Sequence, residues 1–275
     1  MKTFETIEQC RKELSCIDGS VGLIPTMGSI HKGHLNLVRA SKIENTTSIV
    51  TLFVNPSQFG RNEDFDQYPR DIDQDMVLLE NEGIDILFAP KVREIYPLGF
   101  STFVDIGDLS KKYEGLYRPE HFRGVSTIVT KLLSIFRPNR AYFGQKDAQQ
   151  CAVIKKLNDD LNLGSEIIIV PTARDQFGMA LSSRNIYLSE LQKKSANHIN
   201  LILFRAKKLY HSKNMKSCDL INFISKSLPI DINIEYVSIV NRETFATMNI
   251  PDVNSLIIVA VNIGSVRLID NVSLS

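Results

Sequence analysis

The sequence predicts an α/β fold in which a Rossmann-like parallel sheet is followed by a smaller α+β domain. Over roughly the first two-thirds of the 275 residues, strand-like apolar segments alternate with helix-like segments, which is typical of a parallel sheet covered by helices. After about residue 185, two helical stretches precede three strand-like stretches, as in an antiparallel sheet packed against helices. The polar stretch near 173–187 separates the two patterns, so we expect domains at 1–175 and 176–275.

Apolar runs and stop signals place the individual elements. The β-branched run at 48–54 is apolar on both faces, as a buried parallel strand is. Gly83 and Pro138 end the helices that precede them. We expect strands at 21–25, 48–54, 84–88, 141–143 and 166–170, and helices at 33–42, 71–82, 125–136 and 147–161. In the second domain we expect helices near 190–211 and 216–227, and strands near 232–240, 255–262 and 265–269.

The overall charge excludes some functions and favours none. The chain has 32 Lys and Arg against 31 Asp and Glu, so its net charge of +1 gives no electrostatic case for nucleic acid or a membrane surface as partner. The four cysteines form no C-x-x-C pair, which argues against a zinc ribbon or a dense disulfide framework. No apolar run approaches the ~20 residues that a membrane span needs, and acidic residues interrupt the N-terminal segment. We therefore expect a cytoplasmic protein.

Ligands of parallel sheets bind beyond the carboxyl ends of the strands, so the loops at 26–34, 55–62, 144–150 and 171–184 are the candidate site. The first of these loops carries the sharpest signal, His31-Lys-Gly33-His34, between a strand and a helix. A helix N-terminus presents free N–H groups and a positive dipole end, glycine lets a nucleotide approach the backbone, and imidazoles donate to phosphate oxygens. Two other interpretations stay open: a helix-capping histidine beside a surface histidine, and a metal pair, for which no third ligand is indicated.

Two further polar segments suit a polyphosphate but are weak signals alone. In Gly144-Gln-Lys146-Asp147, the glycine supplies a turn, the lysine reaches a phosphate, and the aspartate caps a helix or holds a ribose hydroxyl or a metal. In Ser182-Ser-Arg184, two hydroxyls and a guanidinium stand in sequence. Each segment, taken by itself, is also compatible with an ordinary solvated loop.

Glutamines indicate a place for a small polar substrate. Gln58 follows the end of a buried strand, where its amide hydrogen-bonds a ligand without adding charge. Gln150 lies four residues after Lys146, so both face the same side of a helix. Taken alone, Gln58 is more readily explained as a turn residue in solvent.

The order of these segments resembles the nucleotidylyltransferase superfamily, which shares its nucleotide-binding fold with class I aminoacyl-tRNA synthetases. Longer strings, covering nearly the whole chain, resemble the pantothenate synthetase family in particular. They lie at 25–28, 31–34, 53–60, 62–65, 68–70, 118–124, 142–150, 181–185 and 266–271.

The resemblance implies an ATP-dependent ligase that condenses pantoate with β-alanine, with Mg²⁺ on the phosphates and with no assigned protein ligands for the metal. It implies a homodimer in which the second domain closes over the site. His34 is the implied proton donor, Gln58 and Gln150 bind pantoate, and Gln58 also lies near β-alanine. The implied ATP-binding residues are Met27, Gly28, Ser29, Ile30, His31, Lys32, Gly33, His34, Gly144, Gln145, Lys146, Asp147, Ala173, Leu181, Ser182, Ser183 and Arg184.

Four positions depart from the family pattern. Ala173, whose backbone contacts adenine in the family, replaces the usual valine, and a backbone contact survives that change. Asp175 and Phe177 replace a glutamate and a glycine-rich pattern, which puts the shape of that loop in question. Arg61 replaces a usual proline.

The implied reaction has two steps: pantoate attacks the α-phosphorus of ATP, giving pantoyl adenylate and pyrophosphate, and the β-alanine amine then displaces AMP. This chemistry needs positioning and charge stabilisation, and no nucleophilic side chain. The enzyme alternative is a nucleotidylyltransferase acting on a phosphate acceptor, for which we would expect more basic residues than two glutamines. The non-enzyme alternative is a nucleotide sensor or scaffold, against which the intact His34, Lys146 and Arg184 argue.

Overall fold

A computed structural model describes residues 1–60 and 63–275. Arg61, together with Asn62 of the 62–65 string, lies outside the described residues. The chain divides into two compact units. The first comprises Met1–Gly144 and Val153–Val170, and the second comprises Gln145–Ala152 and Pro171–Ser275.

The first unit contains a parallel sheet, as the sequence predicts. In the described residues its six strands are β1 (Lys2–Phe4), β2 (Val21–Thr26), β3 (Thr47–Leu52), β4 (Ile86–Phe88), β5 (Arg140–Gly144) and β6 (Glu166–Val170). They lie in the order β1-β4-β3-β2-β5-β6, and every pair is parallel. The predicted strands at 48–54 and 84–88 are shorter at one end, and the three-residue edge strand β1 was missed because it carries no apolar run.

Helices connect these strands. They are α1 (Ile7–Leu14), α2 (Lys32–Glu44), α3 (Ile72–Asn81), α4 (Val92–Ile95), α5 (Glu114–Tyr117), α6 (His121–Phe136) and α7 (Ala148–Asp160). The prediction for α6 was wrong by four residues, because His121 and Phe122 already belong to its buried face. The predicted helix at 147–161 begins with a 3₁₀ turn at Gln145–Asp147, and the α-helix starts at Ala148.

The position of β2 in the sheet marks the edge at which a ligand is expected. β2 lies between β3 on one side and β5 on the other, so the strand order reverses there. Leu23, Ile24, Ile49 and Val50 are fully buried at the centre of this sheet, which fixes β2 and β3 between two helical layers. Loops that follow the carboxyl ends of strands at such a reversal form the crevice in which α/β proteins bind ligands.

The second unit contains helices followed by an antiparallel sheet, as the sequence predicts. Its regular elements in the described residues are α8 (Glu190–Lys213), α9 (Ser217–Ser227), β7 (Ile232–Asn241), β8 (Ser255–Ile263) and β9 (Val266–Ser273), with sheet order β7-β8-β9. Its core joins the helices to the sheet through buried residues such as Leu203, Leu220 and Val259. The prediction ended β9 at 269, because the polar Asp270-Asn271 pair interrupts its apolar pattern. Among the described helices, none has the length and apolarity to cross a membrane.

Candidate active site

The turn between β2 and α2 has an unusual backbone. Gly28 has a φ of 88° and Ser29 a φ of 53°, so two successive residues are left-handed. A side chain at position 28 would place its Cβ 2.9 Å from Oδ2 of Asp75. The turn therefore requires glycine at this position for both conformation and space.

The carboxylate of Asp75 stabilises this turn by hydrogen bonds to its backbone. It accepts hydrogen bonds from the N–H of Ser29 at 2.8 Å and from the N–H of Ile30 at 2.6 Å. Asp75 is only 4% exposed; burial raises the pKa of its carboxyl, and the bonds from Ile30 and Ser29 oppose that rise. Sequence reasoning missed this residue, although it lies one helical turn before the fully buried Leu79. A carboxylate on the buried face of a helix is the signal that could have found it, because it needs a partner there.

The two histidines of the motif are joined at the start of α2. His31 is the N-cap residue, and its Nδ1 accepts from the N–H of Gly33 at 3.1 Å. The Nδ1 of His34 accepts from the N–H of His31 at 3.4 Å, so the two residues complete a capping box. In each neutral ring the proton then resides on Nε2, which is a donor. The capping interpretation is thus correct for His31, and it leaves the phosphate-binding interpretation open because capping uses only Nδ1.

Gln58 is a buried residue of the first unit. The residue is 7% exposed, which contradicts the interpretation as a turn residue in solvent. Its Nε2 donates to Sδ of Met27 at 2.9 Å, and its Oε1 accepts from Nδ2 of Asn55 at 3.1 Å. The structure therefore brings the loop after β3 together with the turn after β2, as their neighbouring parallel strands require.

The N-terminal part of α6 fixes the same loop. Nδ1 of His121 lies 3.1 Å from the carbonyl oxygen of Gln58, to which it donates, and Nδ2 of Asn55 donates to the carbonyl of Gly124 at 3.1 Å. A Cβ at position 124 would lie 2.3 Å from the carbonyl oxygen of Ser57, so only glycine allows this approach. Burial, followed by the charge of Arg118, lowers the pKa of His121 to about 4, so its ring is neutral at pH 7.

An ion pair joins the 118–124 string to the residues beyond this loop. The guanidinium of Arg118 donates to both carboxylate oxygens of Glu63, at 2.8 and 2.6 Å. Bidentate, partly buried pairs of this kind fix geometry as well as charge. The sequence showed the two strings separately and gave no sign that they contact each other.

In the second unit, the turn at 145–147 is anchored through its main chain. Nδ2 of Asn271 donates to the carbonyl oxygens of Gln145 and Lys146, at 2.9 and 3.0 Å. The Nζ of Lys146 lies 3.3 Å from a carboxylate oxygen of Asp147. The residue before this turn, Gly144, ends β5, and a Cβ there would meet no atom of the described residues within 4 Å.

The 173–184 loop of the second unit forms a short hairpin. The carbonyl of Ala173 accepts from the N–H of Leu181 at 2.9 Å. The carboxylate of Asp175 accepts from the N–H groups of Phe177 and Met179, both at 2.9 Å, so the departures from the family pattern at 175 and 177 build a closed turn. Oγ of Ser182 accepts from the N–H of Arg184 at 3.3 Å, which leaves its hydroxyl proton to be donated.

The described geometry defines the class of the protein as an α/β protein with a Rossmann-like sheet and a helix N-terminus at the strand-order reversal. The family model for pantoate-beta-alanine ligase matches residues 2–273. The chain therefore belongs to the pantoate–β-alanine ligase family.

Relatives and solved structures agree with this family. The pantothenate synthetase of Acetivibrio thermocellus is 44% identical over 277 residues, covering 99% of each chain. A crystal structure of pantothenate synthetase from Thermus thermophilus has a TM-score of 0.95 at 38% identity, covering 100% of this chain and 99% of that chain. A crystal structure of pantoate-beta-alanine ligase from Francisella tularensis, complexed with beta-gamma ATP and beta-alanine, has a TM-score of 0.83 at 34% identity, covering 100% of this chain and 98% of that one.

Proposed function

We propose that the chain condenses pantoate with β-alanine at the expense of ATP, through a pantoyl-adenylate intermediate, with release of AMP and pyrophosphate. The observation that carries the proposal is the full-length family match together with the histidine pair at the N-terminus of α2. Ligase activity with these substrates follows from the family. The adenylate route, the residue roles and the metal are the proposal's own.

ATP binding is assigned to separate segments of the two units. In the first unit the segment is 27–34, with Gly144 at the end of β5. His34 donates from Nε2 to the phosphate oxygens, where negative charge grows as the α-phosphorus is attacked. Support comes from the Nδ1 bond of His34, which orients the ring, and from the positive end of the helix dipole at the start of α2. In the second unit we assign Gln145, Lys146, Asp147, Ala173, Leu181, Ser182, Ser183 and Arg184.

Binding of pantoate is assigned to Gln58 and Gln150, and Gln58 also orients β-alanine. Because Gln58 contacts Met27, the acid held by Gln58 is adjacent to the nucleotide segment of the same unit. A neutral amide orients a hydroxy acid without attracting the triphosphate in its place.

Mg²⁺, as the magnesium complex of ATP, is the proposed metal. No group of three or more potential metal-ligating side chains occurs among residues 1–60 and 63–275. In a magnesium–ATP complex the metal would be held mainly by phosphate oxygens and water, and no protein ligand is assigned to it. When bound, the metal neutralises phosphate charge. The homodimer, the cytoplasmic location, the domain division at 175/176 and closure of the second domain over the site stay predictions.

The remaining alternative is transfer of a nucleotide to a phosphate acceptor. The two glutamines, of which Gln58 is buried in the 3₁₀ turn Pro56–Gln58 after β3, favour an acid with hydroxyl groups over a phosphate. Pyrophosphate release measured with and without pantoate separates the two, since the alternative has no reason to depend on pantoate.

An isotope experiment tests the chemical route. Pantoate labelled with ¹⁸O in its carboxylate loses one oxygen to AMP if the acid attacks the α-phosphorus. We expect labelled AMP, unlabelled pyrophosphate and no ADP. Label in inorganic phosphate, or ADP as product, would establish an acyl-phosphate route and overturn the proposal. The sequence contains no G-x-x-x-x-G-K-[ST] loop of the kind used for γ-phosphoryl transfer.

A further inference from the structure

Two adjacent residues near the end of β9 contact the two segments of the second unit that are assigned to ATP, the 145–147 turn and the 173–184 hairpin. Asp270 is 5% exposed and Asn271 is 4% exposed. A buried carboxylate and a buried amide need hydrogen-bond partners. The NH₂ group of Asn271 finds them in the 145–147 turn, and the carboxylate of Asp270 finds them in the 173–184 loop.

Asn271 uses the one side-chain group that suits its position. The NH₂ group of its amide donates to two successive carbonyl oxygens, those of Gln145 and Lys146. A carboxylate of the same shape has no donor, and a serine hydroxyl has only one. The amide therefore fixes the backbone from which the Lys146 side chain extends.

Asp270 acts on the other segment through Arg174. The guanidinium donates to both carboxylate oxygens, at 2.7 and 2.9 Å, and also to the carbonyl of Gly178 at 3.1 Å. Arg174 forms a β-bridge with Ala180, next to the pair formed by Ala173 and Leu181. The ion pair thus stabilises the hairpin that carries Ala173 and Leu181, two of the residues assigned to ATP binding.

One strand carries both anchors. Asp270 pairs with Val259, and Asn271 pairs with Ile258, so the central strand β8 fixes both backbone positions. Oδ1 of Asp270 also accepts from the N–H of Asn271 at 2.8 Å. A displacement of this strand end therefore moves both nucleotide segments together.

We propose that Asp270 and Asn271 are positioning residues for the nucleoside triphosphate, setting the Lys146 turn and the 173–184 hairpin from a single strand. The proposal rests on the proposed function, because it takes those two segments as ATP-binding. Neither residue is assigned a contact with ATP.

The test compares Asn271→Asp with Asn262→Asp. Asn262 lies on β8 of the same sheet and donates to Glu235 at 2.8 Å, so its variant disturbs the sheet without touching either segment. We expect Asn271→Asp to raise the ATP dissociation constant, measured by calorimetry with ATP alone, about tenfold, and Asn271→Ser, with one donor left, about threefold. Asn262→Asp should change it by less than about twofold, and the KM for pantoate should stay within about twofold in all three.

The Asp270 arm uses Asp270→Asn against Glu235→Gln, which weakens the pair that Glu235 forms with Arg267 on the same sheet. Only the first should weaken ATP binding. If Asn271→Asp fails to fold, Asn271→Ser decides. Unchanged ATP affinity in Asn271→Ser and Asp270→Asn, or equal losses for ATP and pantoate, would overturn the inference.

Lys146→Ala, measured alongside, distinguishes failure of the positioning role of Asp270 and Asn271 from failure of the ATP-binding assignment in the second unit. If Lys146→Ala loses ATP affinity while the Asp270 and Asn271 variants do not, the inference alone fails. If Lys146→Ala binds ATP as the wild type does, the assignment of the second unit in the proposed function fails, and the inference fails with it.

Discussion

The imidazole rings of His31 and His34 stack with their centroids 4.1 Å apart and their planes 25° from parallel. Both rings receive a backbone N–H on Nδ1, so in each neutral ring the proton is on Nε2. In the proposed function, this preorganised pair of donors would stabilise charge on a phosphate without reorganising.

His34→Ala should lower the rate of adenylate formation by roughly 10²–10³-fold, the scale for loss of one preorganised donor. The rate is measured as pantoate-dependent pyrophosphate release. His34→Gln, whose amide replaces the Nε2 donor, should recover part of the rate. Thermal unfolding of each variant checks the fold, and near wild-type turnover in His34→Ala would refute the assignment.

Asp75→Asn should weaken ATP binding while leaving the chain folded. The amide keeps one acceptor oxygen but presents N–H groups to one of the two backbone donors of the 28–30 turn, so one bond is lost and the turn shifts. We expect about a tenfold loss of ATP affinity. Asp73→Asn is the matched control, since Asp73 is exposed on the same helix and should change nothing measurable. Equal effects of the two variants would disprove a role for Asp75 in the turn.

Gln58→Ala and Gln150→Ala should raise the KM for pantoate far more than the KM for ATP. The exposed Gln74 on α3 supplies the control, and Gln74→Ala should alter neither constant. Parallel increases for both substrates would show that the acid pocket has been misplaced. For Gln58 the measurement also needs a thermal scan, because its amide contacts both Met27 and Asn55.

The neutral ring of His121 makes stability depend on pH in a defined direction. The pKa of His121 is about 4 in the folded state and 6.5 in the unfolded chain. The unfolded state therefore binds more protons between these two pH values. The free energy of unfolding therefore falls as pH falls through 6.5 towards 4, by about 1.3 kcal/mol between pH 7.5 and 5.5. His121→Asn, which keeps a donor near the Nδ1 position, should lose this part of the pH dependence.

Urea unfolding of the wild type and the variant at the two pH values measures the effect. His198→Asn, which replaces an exposed histidine on α8 in the same way, is the matched control. A His121→Asn variant with the wild-type pH dependence would contradict a neutral buried ring.

Periodicity and stop signals were enough to predict the parallel sheet, its principal helices and the change to an antiparallel sheet. They failed for β1, which is too short to show a pattern. They also failed at the start of α6, where the buried residue His121 is of a polar type and so did not count towards the apolar pattern. The candidate segments were found because their residue types are unusual at the ends of strands. Asp75, Asn271 and Arg174 were missed because they act through contacts distant in sequence, which no local pattern records.

The contact of Gly124 with the loop after β3 also limits how this fold can be rebuilt. Since the backbone of α6 approaches Ser57 too closely for any side chain, the loop and the helix start form one interlocking part. A chimera that takes residues 55–60 from a relative should therefore also take 118–124, or the two backbones will not fit. Under the proposed function, changes in acid preference are then to be sought in side chains such as Gln58, since the backbone approach at Gly124 leaves no space for a larger residue there.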